Sequence, residues 1–302
     1  EYNIPLTSKR VDFIIAGADD NGNENIVIVE LKQWQKAEIV ADDMHYCVRT
    51  FVANSDRIVC HPSYQAYSYS SFLKNYSQSI SDENINLIPC AYLHNYQPEY
   101  RQTLSNPIYK DWFEVAPFFI KNEVSAFSDF VKRHITRKSS KGDLLYLIDH
   151  GRLRPSKALQ DSLTSMVKGN QEFMLLDEQA VCFDMCLKTM NQCLKDRKKR
   201  TIIIQGGPGT GKSVLAVNLL MEYINQSLHA SYVTKNSAPR EAFLQLLTKS
   251  DAKKLINIKQ LFRSPFGLSN CDENGYDCLI VDEAHRLVKK MYGDWNGENQ
   301  VK

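Results

Sequence analysis

Gly206-Gly207-Pro208-Gly209-Thr210-Gly211-Lys212-Ser213 fits the pattern G-x-x-x-x-G-K-[ST] at every position. Its glycines let the backbone curl so that successive N–H groups point at one anionic guest. A helix predicted to open at Lys212 adds the partial positive charge of its N-terminus. The guest this arrangement suits is ATP with Mg²⁺. Lys212 reaches the β- and γ-phosphates, and the Ser213 hydroxyl faces the metal. Further along, the apolar run Cys278-Leu279-Ile280-Val281 ends in Asp282-Glu283. Two carboxylates at a strand end suit the same reaction. Asp282 holds Mg²⁺, usually through water, and Glu283 polarises the water that attacks the γ-phosphate.

A second set of charged residues lies near the start of the chain. Asp12 precedes one apolar run, and Glu30-Leu31-Lys32 closes another. The Asn21-Gly22 pair between them predicts a β-hairpin, with Asp12 opposite residue 31, give or take one. Glu30 and Lys32 are two apart and share a face of the strand. Asp12, Glu30 and Lys32 are therefore expected to converge. Two carboxylates can hold Mg²⁺ or Mn²⁺ beside a scissile phosphate, and a lysine can position water or neutralise a developing oxyanion.

The elements that must position these residues follow from patterning. Val11–Ala16 and Ile26–Val29 read as strands of the hairpin, residues 36–55 as mostly helical, and Asp56–Cys60 as a short strand. Ser63–Tyr76 reads as a helix, Ile85–Leu93 as a strand and Glu123–Arg133 as a helix. From Leu176 the predicted order is helix, strand Thr201–Gln205, phosphate loop, helix Lys212–Asn225, strand Ala230–Thr234, helix, strand Cys278–Val281. Such alternation predicts a parallel sheet and an α/β domain. The domains are expected at 1–133 and 176–302, joined by a polar connecting region at 134–175.

Composition narrows the class further. The 302 residues suggest two domains. With 43% hydrophobic and 24% charged residues, the chain is an ordinary folded one and not a disordered or collagen-like one. Its apolar runs fall short of the roughly 18 residues of a membrane helix, and no basic-plus-apolar leader opens it. The first residues read like the middle of a fold, so a preceding segment is expected. A net charge of +2 neither implies nor excludes a polyanionic partner. The basic stretches Lys132–Lys141 and Arg197–Arg200 read as a solvated linker and turn. Eight cysteines without a C-x-x-C pair fit a reduced, cytoplasmic protein.

Three resemblances sharpen these expectations. Asp282-Glu283-Ala284-His285 resembles the DEAH form of the Walker B box, and the second half is similar to a superfamily 1 helicase. That resemblance implies a RecA-like P-loop NTPase in which Gln179 contacts the adenine edge and Lys235 touches a nucleic-acid backbone. Asp12 with Glu30-x-Lys32 resembles the PD-(D/E)XK nucleases. Gln65-x-x-x-Tyr69 resembles the added motif of the RecB-like members, whose glutamine and tyrosine line the DNA-facing side. A restriction-endonuclease-like fold is then expected for the N-terminal domain. The spacings do not fit the iron–sulfur cysteines of some members.

Taken together, the chain resembles the bacterial Schlafen group 3-like DNA/RNA helicases with a fused N-terminal nuclease. The matching phrases include Ile4–Asp12, Val29–Trp34, His61–Ala66, Gly206–Ser213, Val233–Asn236 and Asp277–Arg286. This implies a nuclease and ATPase acting on nucleic acid, DNA ahead of RNA, in defence against phage or other foreign DNA. A superfamily 1 motor has two RecA-like domains, so the chain is expected to be a fragment lacking the second. An ATP-gated nucleic-acid sensor with an inactive nuclease fold is the alternative. A P-loop signalling ATPase with a protein-binding N-terminal domain is a third reading. Oligomeric state is left open.

Overall fold

The computed structural model describes residues 2–4, 9–41, 44–151, 174–236, 261–268 and 271–287. The phrase Pro5–Ser8, the connection over 152–173 and the helix expected between residues 234 and 278 fall outside these. The described residues form two compact units. One holds residues up to 151 together with 174–202, and the other holds those from 203 onward.

The first unit is built on a four-stranded mixed sheet, in the order Phe13–Ala18, Glu24–Lys32, Asn86–Leu93, Phe118–Ile120. The first pair is antiparallel and the other two are parallel. Ile26, Val27, Ile28 and Val29 are all fully buried because this strand is covered on both faces. On one face Ile26 and Ile28 pack with Tyr69 and Leu73 of the helix Pro62–Tyr76. On the other, Val27 and Val29 pack with Phe119 and with Phe130 of the helix Val124–His134. The hairpin turn forms as its residues dictate. Asp19 Oδ1 accepts from the N–H groups of Asn21 and Asn23, and Gly22 takes the left-handed conformation at φ 83°.

Residues 36–55 differ from expectation. Among the described residues there they hold no helix but the strands Glu38–Ile39 and Cys47–Val52, the latter paired with Ser55–Cys60 in a three-stranded antiparallel sheet. The connecting turn is Ala53-Asn54, both at positive φ (49° and 61°). Two such residues make the primed turn that suits hairpin twist. Without a glycine to mark it, the turn is hard to read. Burial of Cys47, Val48 and Thr50 favours the sheet over a helix.

The basic stretch after residue 132 is structural. Arg137 donates to the carbonyls of Asp19 and Asp20 and so ties down the hairpin turn. Residues 134–151 pack on the first unit, with Leu144 and Ile148 in its core. The chain passes so close that a Cβ on Gly17 would lie 2.6 Å from Ile135 Cγ2 and 2.7 Å from the Arg137 carbonyl oxygen. Gly17→Ala is expected to cost about 1–3 kcal/mol of stability through this overpacking. Urea unfolding of the variant against wild type checks it.

The helix Glu178–Asp196 also belongs to the first unit, where the sequence reading had it opening the second. It packs along the Cys47–Val52 and Ser55–Cys60 strands. Phe183 is buried against Tyr46, and Asp184 accepts from the Tyr46 N–H at 2.8 Å. Cys186 is buried, while Cys182 and Cys193 are half-buried.

The second unit has three parallel strands in the order Phe262–Arg263, Ala230–Val233, Cys278–Val281. The helix Lys212–Asn225 packs on them and buries Leu215, Leu219 and Tyr223, each four residues apart. Thr201–Gln205 was expected as a strand and is not one. No strand among the described residues pairs with it, and Ile203 stands 79% exposed. Without a ladder partner, extended chain does not become sheet.

Candidate functional site

The first site gathers at the end of the strand Glu24–Lys32. The hairpin pairs Phe13 with Val29, which brings Asp12 to the Glu30–Leu31 step. Asp12 Oδ2 accepts from the Leu31 N–H at 2.9 Å. Lys32 Nζ lies 2.6 Å from Glu30 Oε1. Asp12 thus reaches the backbone of the strand end that carries Glu30 and Lys32. Glu30 is only 3% exposed. Burial pushes its pKa up to about 7, the charges of Asp12 and Asp177 add to the rise, and Lys32 opposes it.

Gln65 and Tyr69 sit one turn apart on the helix Pro62–Tyr76, and Gln65 Nε2 donates to the Tyr69 hydroxyl at 2.9 Å. Tyr69 is buried and donates to Asp177 Oδ2 at 2.8 Å. Lys9 Nζ lies 3.0 Å from the same oxygen and 2.5 Å from Glu178 Oε2. Asp177 and Lys9 are thus part of this site, and the sequence reading named neither. Asp177 lies two residues before Gln179, the expected adenine contact, and nothing in its spacing ties it to residue 69. Gln179 turns onto its own helix start, its Oε1 accepting from the Leu176 N–H at 3.0 Å.

The helix carrying Gln65 and Tyr69 is held at its start by His61, which is fully buried. His61 Nδ1 accepts from the Ser63 N–H, Nε2 donates to the Leu104 carbonyl at 3.0 Å, and the ring stacks on Tyr109. Burial pushes the His61 pKa down to about 3. An unfolded histidine titrates near 6.5. The folded pKa is the lower one, so this contribution to stability is complete above pH ~6.5 and is lost as pH falls toward 3. The expected slope is up to about 1.4 kcal/mol per pH unit from this one group. Thermal melts at pH 7.5 and 5 should show a larger drop for wild type than for His61→Gln.

The second site lies where the loop of residues 206–211 meets the end of the strand Cys278–Val281. Gly209 and Gly211 take φ values of 72° and 78°, which a side chain would resist. Pro208 lies within the loop's turn, and Thr210 Oγ1 donates to the Gly207 carbonyl at 2.9 Å. Lys212 Nζ donates to the carbonyls of Gly206 and Gly207 at 2.9 and 2.7 Å. Ser213 Oγ donates to Asp282 Oδ2 at 2.8 Å, so the two residues expected to face one Mg²⁺ are in contact. Tyr232, unforeseen in the sequence, donates its hydroxyl to the same oxygen and orients it. Burial, then the bond to Asp282, pushes the Tyr232 pKa up, so the hydroxyl stays a donor.

Glu283 follows in the left-handed region at φ 54°, 3.3 Å from His285 Nδ1. Lys235 is exposed just past the strand Ala230–Val233.

Both sites suit a divalent cation by their donors. Glu30 Oε2 is buried with no hydrogen-bond partner, and Ser213 with Asp282 offers a hydroxyl and a carboxylate. Among the described residues no three Asp, Glu, His or Cys side chains group so as to hold a metal by themselves. Mg²⁺ sites commonly use one or two carboxylates and draw the remaining ligands from water and phosphate.

Residues 199–302 match the family model described as Schlafen group 3, DNA/RNA helicase domain. This span holds the whole of the second site and none of the first. It supports a Schlafen-like helicase domain over those residues. No curated protein and no solved structure matches the chain. No helix among the described residues is long and apolar enough to cross a membrane.

Proposed function

We propose that the chain joins a metal-dependent nuclease of the PD-(D/E)XK type to an ATP-binding, helicase-type P-loop domain, both acting on nucleic acid. The observation that carries the motor half is the Ser213–Asp282 contact beside Lys212, within a span similar to a helicase domain. The nuclease half rests on Asp12, Glu30 and Lys32 meeting at one strand end. The hairpin followed by a parallel strand, with a helix on each face, is the scaffold a restriction-endonuclease-like fold requires.

In the motor half, Lys212 binds the β- and γ-phosphates, Ser213 and Asp282 hold Mg²⁺, and Glu283 takes a proton from the attacking water. In the nuclease half, Asp12 and Glu30 hold Mg²⁺ or Mn²⁺. When bound, that cation neutralises transition-state charge and lowers the pKa of water. Lys32, fixed by Glu30, orients the water or meets the developing oxyanion. Gln65 positions Tyr69. DNA is the favoured substrate, and removal of foreign DNA the favoured role.

A second reading, an ATP-gated nucleic-acid sensor with a silent nuclease fold, draws on the burial of Glu30 and Tyr69. The test is cleavage of labelled DNA and RNA oligonucleotides with Mn²⁺, run beside ATP binding on the same preparation. Metal-dependent cleavage supports the first reading. ATP and nucleic-acid binding without cleavage supports the sensor.

A further inference from the structure

Two carboxylates in the first unit share an unusual arrangement. Glu30 has one oxygen held by Lys32 at 2.6 Å, and its other oxygen is buried with no partner. Asp177 has Oδ2 held by Tyr69 at 2.8 Å and by Lys9 at 3.0 Å, and its Oδ1 is also buried with no partner. A carboxylate oxygen taken from water without a hydrogen bond is costly. Tyr69, which holds Asp177, packs with Ile26 and Ile28, on the strand face that Glu30 shares two residues further on, and the charge of Asp177 adds to the rise in the Glu30 pKa. Two anions brought together, each with one oxygen anchored by a lysine and the other left open, call for a cation between them.

The backbone supports the same conclusion. Asp177 stands at the N-cap of the helix Glu178–Asp196, where an aspartate ordinarily bonds the first N–H groups of its helix. It makes no such bond, and its backbone sits at φ 40°, ψ −105°. That is a sparsely populated conformation, of the kind found where surrounding structure overrides local preference. The surroundings are specific: the Leu175 carbonyl accepts from the Tyr64 hydroxyl, and the Asp177 carbonyl accepts from the Cys60 thiol. Local strain and a forgone cap turn this carboxylate toward Tyr69 and Lys9.

We infer that Asp177 Oδ1 and Glu30 Oε2 together bind the same divalent cation, Mg²⁺ or Mn²⁺, with Asp12, water and a substrate phosphate completing its shell. Tyr69 and Lys9 then act as the groups that orient Asp177, as hydrogen-bonded partners do for ligating carboxylates elsewhere. The inference deepens the nuclease reading and rests on it for the role of the cation. It also makes the candidate nuclease site depend on residues well beyond 1–133.

The experiment is Mn²⁺ binding to the full chain without nucleotide or nucleic acid, followed by electron paramagnetic resonance and by the Mn²⁺-induced rise in melting midpoint. Wild type is compared with Asp177→Asn, Glu30→Gln and Glu178→Gln. Asp177→Asn keeps an acceptor for Tyr69 and removes the charge. It should weaken Mn²⁺ binding by about tenfold or more and abolish the rise in midpoint, as should Glu30→Gln. Glu178→Gln, which alters only the other partner of Lys9, should leave both unchanged. Equal Mn²⁺ affinity in wild type and Asp177→Asn, or no saturable site in wild type, overturns the assignment. Wild-type cleavage with undiminished Mn²⁺ binding in Asp177→Asn leaves the nuclease reading standing and removes this one. Mn²⁺ binding lost in Asp177→Asn, with no cleavage by wild type, does the reverse.

Discussion

Lys212→Ala is expected to weaken ATP binding by about 10²-fold or more and to leave the nucleotide-free protein folded. The lysine reaches two phosphate groups, and a hydrogen bond between charged partners is worth about 1.5–3 kcal/mol. Two such bonds amount to at least about 3 kcal/mol, and each ~1.4 kcal/mol is a factor of ten in affinity. Among the described residues Lys212 bonds to the loop carbonyls of Gly206 and Gly207. Its removal leaves no buried charge without a partner, so stability should move by no more than about 0.5 kcal/mol. Titration with a fluorescent ATP analogue beside a thermal melt separates the two effects. Unchanged affinity would show that the loop does not hold the β- and γ-phosphates.

The second large effect is expected at Glu30. Glu30→Gln should lower Mn²⁺-dependent cleavage by about 10²–10³-fold, the scale for losing one charged group that acts on the transition state. The fold should survive, because glutamine fits the same space and still offers Lys32 an acceptor oxygen. It also removes the cost of a carboxylate that is 3% exposed. Glu30→Ala is a poorer test. It opens a cavity and leaves Lys32, itself largely covered, without its partner, a loss of about 3–5 kcal/mol. Cleavage should therefore be read on Glu30→Gln with a melting curve alongside. Wild-type rates in that variant would remove Glu30 from the chemistry.

Much of this protein is legible without coordinates, and the reasons are local. The Asn21-Gly22 turn and the two-residue period of a strand set the hairpin register, so Asp12 arrives at Glu30–Leu31 as expected. The helix Lys212–Asn225 and the strand Cys278–Val281 match their predicted bounds because apolar period and strand composition agree there. The pattern Gly206–Ser213 is read directly, since it is made of adjacent residues.

Other features were decided by packing between distant segments. The Ala53-Asn54 turn lacks a glycine, and its flanking strands gain their burial from the helix Glu178–Asp196. Thr201–Gln205 has strand composition, but it lacks a neighbour to pair with among the described residues. Asp177 is the clearest case. Read along the chain it belongs with Glu178 and Gln179 at a helix start. In the fold, Tyr64, Cys60 and Tyr69 draw it to a site 108 residues away in sequence. Periodicity and turn stereochemistry act over a few residues and so appear in the sequence. Which remote carboxylate Tyr69 and Lys9 hold depends on how whole segments pack, and only the tertiary structure determines that.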